Sequence, residues 1–220
     1  MQLGYKIRYR DYDIGGEQFH IRSLLDRQQY ADPEGVAEQL GICAGSWALF
    51  GVVWPSGQML ARHMSGYDID GLRILEIGCG LALASLVLQR RGADITVSDY
   101  HPEVPGFLKN NTALNDLADI HVMAGDWSTQ EIDPQQFDLI IGSDILYERS
   151  HHAMVAAFID RHAAADAEIV IVDPSRGHVG KFNRRMDELG FDCAEQRAEE
   201  KLADDEQYRG RILNYSRRAI

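Results

Sequence analysis

Glu76 and Asp99 bracket a glycine pair, Gly78 and Gly80, with Asp99 nineteen residues after Gly80. A carboxylate just ahead of a glycine turn can hold a cationic group. An acid about twenty residues further on can accept hydrogen bonds from both hydroxyls of a ribose. Gly78 and Gly80, with Cys79 between them, let the backbone come close to a ligand. A third acid, Asp126, is followed by Trp127. That pair could take a purine, the carboxylate at its exocyclic amine and the indole on its face. A fourth, Asp144, lies in Gly142-Ser-Asp-Ile-Leu-Tyr147. It could orient an acceptor amine and help remove its proton, with Tyr147 walling the channel. Plainer roles exist for some of these residues. Trp127 could plug a sheet edge at a surface turn, Asp144 could cap a helix, and Tyr147 could be core.

The type of nucleoside cofactor follows from two positions. A nicotinamide fingerprint needs a third glycine five residues after the first, and Leu83 stands there. Glu76 would gain nothing beside a dinucleotide phosphate, but it suits the cationic amino-acid end of S-adenosyl-L-methionine. The pattern Glu76-x-Gly78-x-Gly80 resembles the acidic-plus-glycine signature of Class I methyltransferases.

These residues need strands that end at a common edge. Apolar strands are expected over Arg73–Ile77, Asp94–Ser98, Ile120–Ala124, Phe137–Ser143 and Ala167–Asp173. Helices near 81–91, 105–115, 151–164 and 178–189 alternate with them, which predicts a parallel α/β sheet. Two further strands, Phe191–Gln196 and Arg211–Ser216, would complete a seven-stranded Rossmann-like sheet. The acidic stretch 199–206 between them reads as a solvated loop or helix. Ahead of the core, residues 5 to 25 read as a hairpin turning at Asp13-Ile-Gly-Gly16. A helix is expected over Val36–Leu40, and another over Ser56–Met64 with Pro55 near its start. Residues 1–70 would form an N-terminal extension and 71–220 the cofactor-binding domain.

Composition narrows the partners. The net charge of −12, from 22 Lys plus Arg against 34 Asp plus Glu, disfavours a nucleic-acid partner, whose phosphates need a basic face. It is compatible with a basic protein substrate, and equally with simple solubility. No apolar run is long enough to span a bilayer, and the first ten residues lack the apolar stretch of a secretory signal. Cys43, Cys79 and Cys193 are odd in number and far apart, which fits a reducing compartment, so a cytoplasmic location is expected. No spacing of histidines and cysteines predicts a metal site. Gly177-His-Val-Gly180-Lys181 only superficially resembles a phosphate loop. Asp173-Pro-Ser-Arg176 follows the fifth strand, where it could touch a substrate entrance or simply end the strand.

Taken together, Leu75-Glu-Ile-Gly-Cys-Gly80, Ser98-Asp99, Asp126-Trp127 and Gly142-Ser-Asp-Ile-Leu-Tyr147 resemble the seven-β-strand protein lysine methyltransferases. The branch in question includes those acting on the electron-transfer-flavoprotein β subunit and on chaperones. Val53-Trp-Pro-Ser-Gly-Gln-Met-Leu60 is similar to that family's tryptophan segment. The resemblance covers about residues 50 to 175. It implies S-adenosyl-L-methionine as cofactor, contacted by Trp54, the Gly78-Cys79-Gly80 turn, Asp99, Trp127 and Ser143. It places Asp144 and Tyr147 on the substrate side. Ala82 departs from the pattern, where relatives often carry a further glycine. The Asn/Asp-Pro-Pro-aromatic motif typical of adenine and glutamine methylation is absent. A lysine of a protein is the expected acceptor, with histidine or a small-molecule amine as alternatives. A non-catalytic binding module on the same fold is the remaining one.

Overall fold

The computed structural model describes residues 4–128, 134–147, 151–175, 177, 179–202 and 207–217. The chain opens with a hairpin, β1 (Ile7–Ile14) and β2 (Glu17–Leu24), closed by Gly15 and Gly16, both at positive φ. Two glycines in that conformation fit the two-residue turn whose twist matches the strands. A run of short helical pieces follows: α1 (Val36–Gln39), α2 (Ala44–Trp47) and a 3-10 turn (Ala48–Gly51). Helix α3 (Pro55–Ser65) begins with proline in its first turn, where the missing N–H costs nothing.

The main sheet then builds as β3 (Arg73–Ile77), α4 (Leu83–Arg90), β4 (Asp94–Asp99), α5 (Val104–Leu114), β5 (His121–Ala124) and β6 (Phe137–Ser143). It continues with α6 (His151–His162), β7 (Ala163–Asp173), α7 (Val179–Glu188), β8 (Phe191–Lys201) and β9 (Gln207–Arg217). The seven strands lie in the order β5-β4-β3-β6-β7-β9-β8, with β9 antiparallel to both of its neighbours. This is the expected Rossmann-like α/β fold, with the hairpin as a separate two-stranded sheet.

Alternate strand residues point to opposite faces, and two cores result. On one face Ile74, Leu139, Ile141, Val170 and Val172 meet α3, α4, α5 and the hairpin. On the other, Leu75, Ile77, Ile140, Ile169 and Ile171 meet α6 and α7. Helix α7 shows how little is needed for such burial, since only Val179, Phe182 and Met186 face inward.

The outer edge of β2 is closed by side chains rather than by a strand. Asn111 of α5 accepts from the Arg22 amide at 2.8 Å and donates to the Arg22 carbonyl at 3.2 Å. One helical turn on, Asn115 does the same for His20, both bonds at 2.8 Å. Four helical residues rise about 6 Å and two strand residues about 6.6 Å, so the two repeats match.

The structure corrects two expectations. Ala163 and Ala164, read as the end of a helix, are strand, and β7 begins four residues before Ala167. Their helix propensity is overridden by pairing, with Ala163 opposite Phe137 beside a break in register. Residues 199–201 are strand as well, because Ala198 and Tyr208 anchor an extended β8–β9 ladder on their buried faces. Residues 203–206, Arg176 and Arg218 lie outside the described residues, so the rest of that acidic stretch and the end of Asp173–Arg176 go undescribed. Among the described residues no helix is long and apolar enough to cross a membrane.

Candidate active site

Adjacent strands β5, β4, β3 and β6 each bring one carboxylate to the same edge of the sheet: Asp126, Asp99, Glu76 and Asp144 respectively. All four line one cavity of about 490 Å³, within the usual range for a small-molecule site. Parallel strands make this convergence automatic, because all of their carboxyl ends face the same crevice.

The turn after β3 is shaped by left-handed backbone at Gly78 (φ 60°), Gly80 (φ 52°) and Ala82 (φ 57°). Ala82 therefore holds a left-handed conformation that a glycine would adopt without strain. A side chain at Gly80 would also be crowded, since a Cβ there would sit 3.0 Å from the Phe50 carbonyl oxygen. The Gly80 amide donates to Asp99 Oδ2 at 2.8 Å, and the His101 amide donates to Asp99 Oδ1 at 2.9 Å. Each carboxylate oxygen retains acceptor capacity beyond that one bond. Burial raises the Asp99 pKa, and these backbone donors oppose the rise.

Glu76 is buried behind the turn. Its Oε2 accepts from the Ser85 amide at 3.0 Å and from the Ser85 hydroxyl. Burial pushes its pKa up to about 7, against the pull of the Ser85 donors, and Asp99 adds to the rise. An arriving ammonium would favour the ionised form of Glu76. Cys79 lies between the glycines, and burial holds its thiol well above the usual range. It is an inert part of the wall.

At the other side of the turn, Asp126 Oδ1 accepts from the Ser128 amide at 2.8 Å and its hydroxyl at 2.6 Å. Trp127 lines the cavity and packs on the α6–α7 core, and its carbonyl accepts from Arg161 at 3.1 Å. Its ring is 3.6 Å from where a Cβ of Gly78 would be. Trp127 is thus both a cavity wall and a packing residue.

The end of β6 supplies Ser143 and Asp144. Asp144 is held in the left-handed region (φ 53°), with its amide donating to the Val172 carbonyl at 2.9 Å. An aspartate held in that region is a strained feature that clusters at functional sites. It lies seven residues ahead of α6, so it does not cap that helix. Tyr147 is 43% exposed and lines the cavity, which rules out the core role. Trp54 also lines the cavity, fixed by its indole N–H donating to the Leu49 carbonyl at 2.8 Å. Arg27 lies 5.2 Å from its ring centroid.

All eleven residues singled out in the sequence line this cavity. Others that line or shape it were not anticipated. Gly125 lies so close to Asp99 that a Cβ there would overlap the Asp99 backbone. Its position directly before Asp126 was the available signal. His101 stacks on Phe50 with ring centroids 3.9 Å apart, and its Nδ1 accepts from the Glu103 amide at 3.2 Å. Burial depresses its pKa to about 4, so the ring is neutral. No local pattern marks that role, because Phe50 and His101 meet only through the fold. Among the described residues no group of three His, Cys, Asp or Glu side chains could hold a metal ion.

The chain is 27% identical over 146 residues to the electron transfer flavoprotein beta subunit lysine methyltransferase of Danio rerio, covering 63% of this chain and 54% of that protein. It is 29% identical over 128 residues to a histidine protein methyltransferase 1 homolog of Dictyostelium discoideum, covering 56% of this chain and 41% of that protein. The chain spans about half the length of the curated relatives it matches. A solved ribosomal protein L11 methylase from Lactobacillus delbrueckii subsp. bulgaricus shares the fold, with a TM-score of 0.58 at 20% identity over 74% of this chain and 79% of that one. A family model described as lysine methyltransferase matches residues 44–188, about two-thirds of the sequence, and the chain belongs to that family.

Proposed function

We propose that this chain is an S-adenosyl-L-methionine-dependent N-methyltransferase whose acceptor is a lysine side chain of a protein. The observation that carries it is the single cavity into which four adjacent strands deliver Glu76, Asp99, Asp126 and Asp144. The cavity fits the cofactor chemically. Glu76 matches an amino-acid ammonium, the Gly78-Cys79-Gly80 turn offers close backbone, Asp99 matches ribose hydroxyls, and Asp126 with Trp127 matches adenine. Trp54 and Ser143 complete the cofactor side. When bound, S-adenosyl-L-methionine supplies an electrophilic methyl group.

The chain's own residues act on the acceptor. A lysine is an ammonium at neutral pH, with a pKa of about 10.4, and must release a proton to expose its lone pair. Asp144 orients that nitrogen and takes part in removing the proton. Tyr147 walls the channel, and exclusion of water depresses the amine pKa. In this reading residues 1–70 are an extension on the cofactor-binding domain 71–220. The net charge of −12 favours a basic protein surface over nucleic acid as partner. Three free cysteines fit a cytoplasmic setting. Histidine is the second acceptor to consider, because a relative of comparable identity is named for it.

The test of the assigned roles is Asp144→Ala. Methyl transfer should fall at least ~100-fold, as for loss of a positioned acid–base group, while affinity for S-adenosylhomocysteine stays unchanged. Undiminished transfer would remove Asp144 from the mechanism.

A further inference from the structure

The last rung between β7 and β9 pairs Asp173 with Arg211, yet the β8–β9 ladder continues four rungs further, from Ala198–Gly210 to Lys201–Gln207. Four residues of strand extend about 13 Å. Strand β8 runs parallel to β7, so this overhang projects past the edge where Asp144 emerges. It lies beyond residue 188, outside the part of the chain that matches the family model. Even so it is tied to the site.

Tyr208, on the overhang, is buried, and its hydroxyl lies 3.1 Å from the Ser56 hydroxyl, which is also buried. Gly210 makes this possible, since a Cβ there would collide with the Tyr208 phenol and the Asp173 carbonyl. Ser56 stands in the first turn of α3, two residues after Trp54. Its neighbour Gly57 lies against Ser143, where a Cβ would be 3.6 Å from the Ser143 hydroxyl. Arg62, further along α3, gives a second tie to the overhang through Glu200 and the Lys201 carbonyl.

We propose that Tyr208 is a positioning residue, through which the β8–β9 overhang sets the Trp54 wall of the site and thereby the fit of the acceptor protein. The inference rests on the methyltransferase reading. Tyr208 touches neither cofactor nor acceptor, and acts by holding the first turn of α3 through Ser56. The overhang is then the element that adapts a shared cofactor site to this chain's own acceptor.

A cycle of Tyr208→Phe, Ser56→Ala and the double variant tests it. Tyr208→Phe keeps the buried ring and removes only the hydroxyl. The expected result is a tenfold loss of kcat/KM toward the acceptor protein, carried by KM, with the double variant losing no more than either single one. Because Trp54 and Ser143 stand on the cofactor side, affinity for S-adenosylhomocysteine should fall as well, by less than the loss in kcat/KM. A readout without turnover is hydrogen exchange over residues 54–60, which should quicken in Tyr208→Phe while residues 83–90 of α4 stay unchanged. Unaltered exchange over 54–60, or additive losses in the cycle, would overturn the inference. Wild-type protein that transfers no methyl group would sink the methyltransferase reading instead, and the exchange result would still decide the role of Tyr208.

Discussion

The Gly80 amide donates to Asp99 Oδ2 at 2.8 Å, so the glycine turn after β3 and the acid ending β4 are locked together. In the proposed reading Asp99 has two tasks, shaping the turn and receiving the ribose. Asp99→Asn keeps the volume but sets an amide N–H against one of two backbone donors. A hydrogen bond to a charged group contributes about 1.5–3 kcal/mol, which corresponds to a loss of affinity for S-adenosylhomocysteine of roughly 10- to 100-fold. Calorimetric titration of the two proteins measures it.

With Glu76 holding the cofactor ammonium, as proposed, cofactor binding should depend on pH. The Glu76 pKa is about 7 in the cavity, and an incoming ammonium favours the ionised form. Binding below pH 7 must therefore release a proton, and the dissociation constant should rise about tenfold between pH 8 and pH 6. Titrations in buffers of different ionisation enthalpy should detect that proton at pH 6 and not at pH 8.5. The sign for the free protein follows from the same value. A carboxyl whose folded pKa lies above its unfolded one binds the extra proton when folded. Stability from Glu76 is thus present at pH 4 and lost as pH rises to 7.

Asn111 and Asn115 dock the N-terminal hairpin by satisfying the Arg22 and His20 backbones. Asn115→Ala would remove two hydrogen bonds to the part-buried His20 backbone, one to its N–H and one to its carbonyl. Each such hydrogen bond contributes about 0.5–1.5 kcal/mol net, so urea unfolding should show a loss of roughly 1–3 kcal/mol. Asn115→Asp would set a carboxylate oxygen against the His20 and Asn111 carbonyls, and should destabilise at least as much as alanine.

Gly125 gives a steric prediction. Because a Cβ there overlaps the Asp99 backbone, Gly125→Ala must displace β4 or β5. Both cofactor affinity and stability should drop, the latter by roughly 1–3 kcal/mol, as for other overpacked sites. Thermal unfolding with and without S-adenosylhomocysteine separates the two effects.

Much of this site was legible in the sequence because it is local. Glu76, Gly78 and Gly80 belong to one strand and its turn, and Asp144 and Tyr147 to one strand end, so spacing alone brings them to an edge. The strands Arg73–Ile77 and Phe137–Ser143 have the expected boundaries for the same reason, as buried apolar runs closed by glycine or polar residues. What escaped depends on distant partners. Phe50 and His101 stack across 51 residues of chain, and Tyr208 meets Ser56 over 152. The strand character of Ala163, Ala164 and Glu199–Lys201 likewise comes from pairing, against local propensity.

The central claim is that the cavity serves methyl transfer to lysine, and one measurement addresses it directly. The protein is incubated with methyl-deuterated S-adenosyl-L-methionine and a host-cell extract, and labelled peptides are mapped by mass spectrometry. The account predicts deuterated methyl groups on the lysine of one acceptor protein, dependent on Asp144. Label on histidine, on a small-molecule amine, or on nothing despite measured cofactor binding would contradict it.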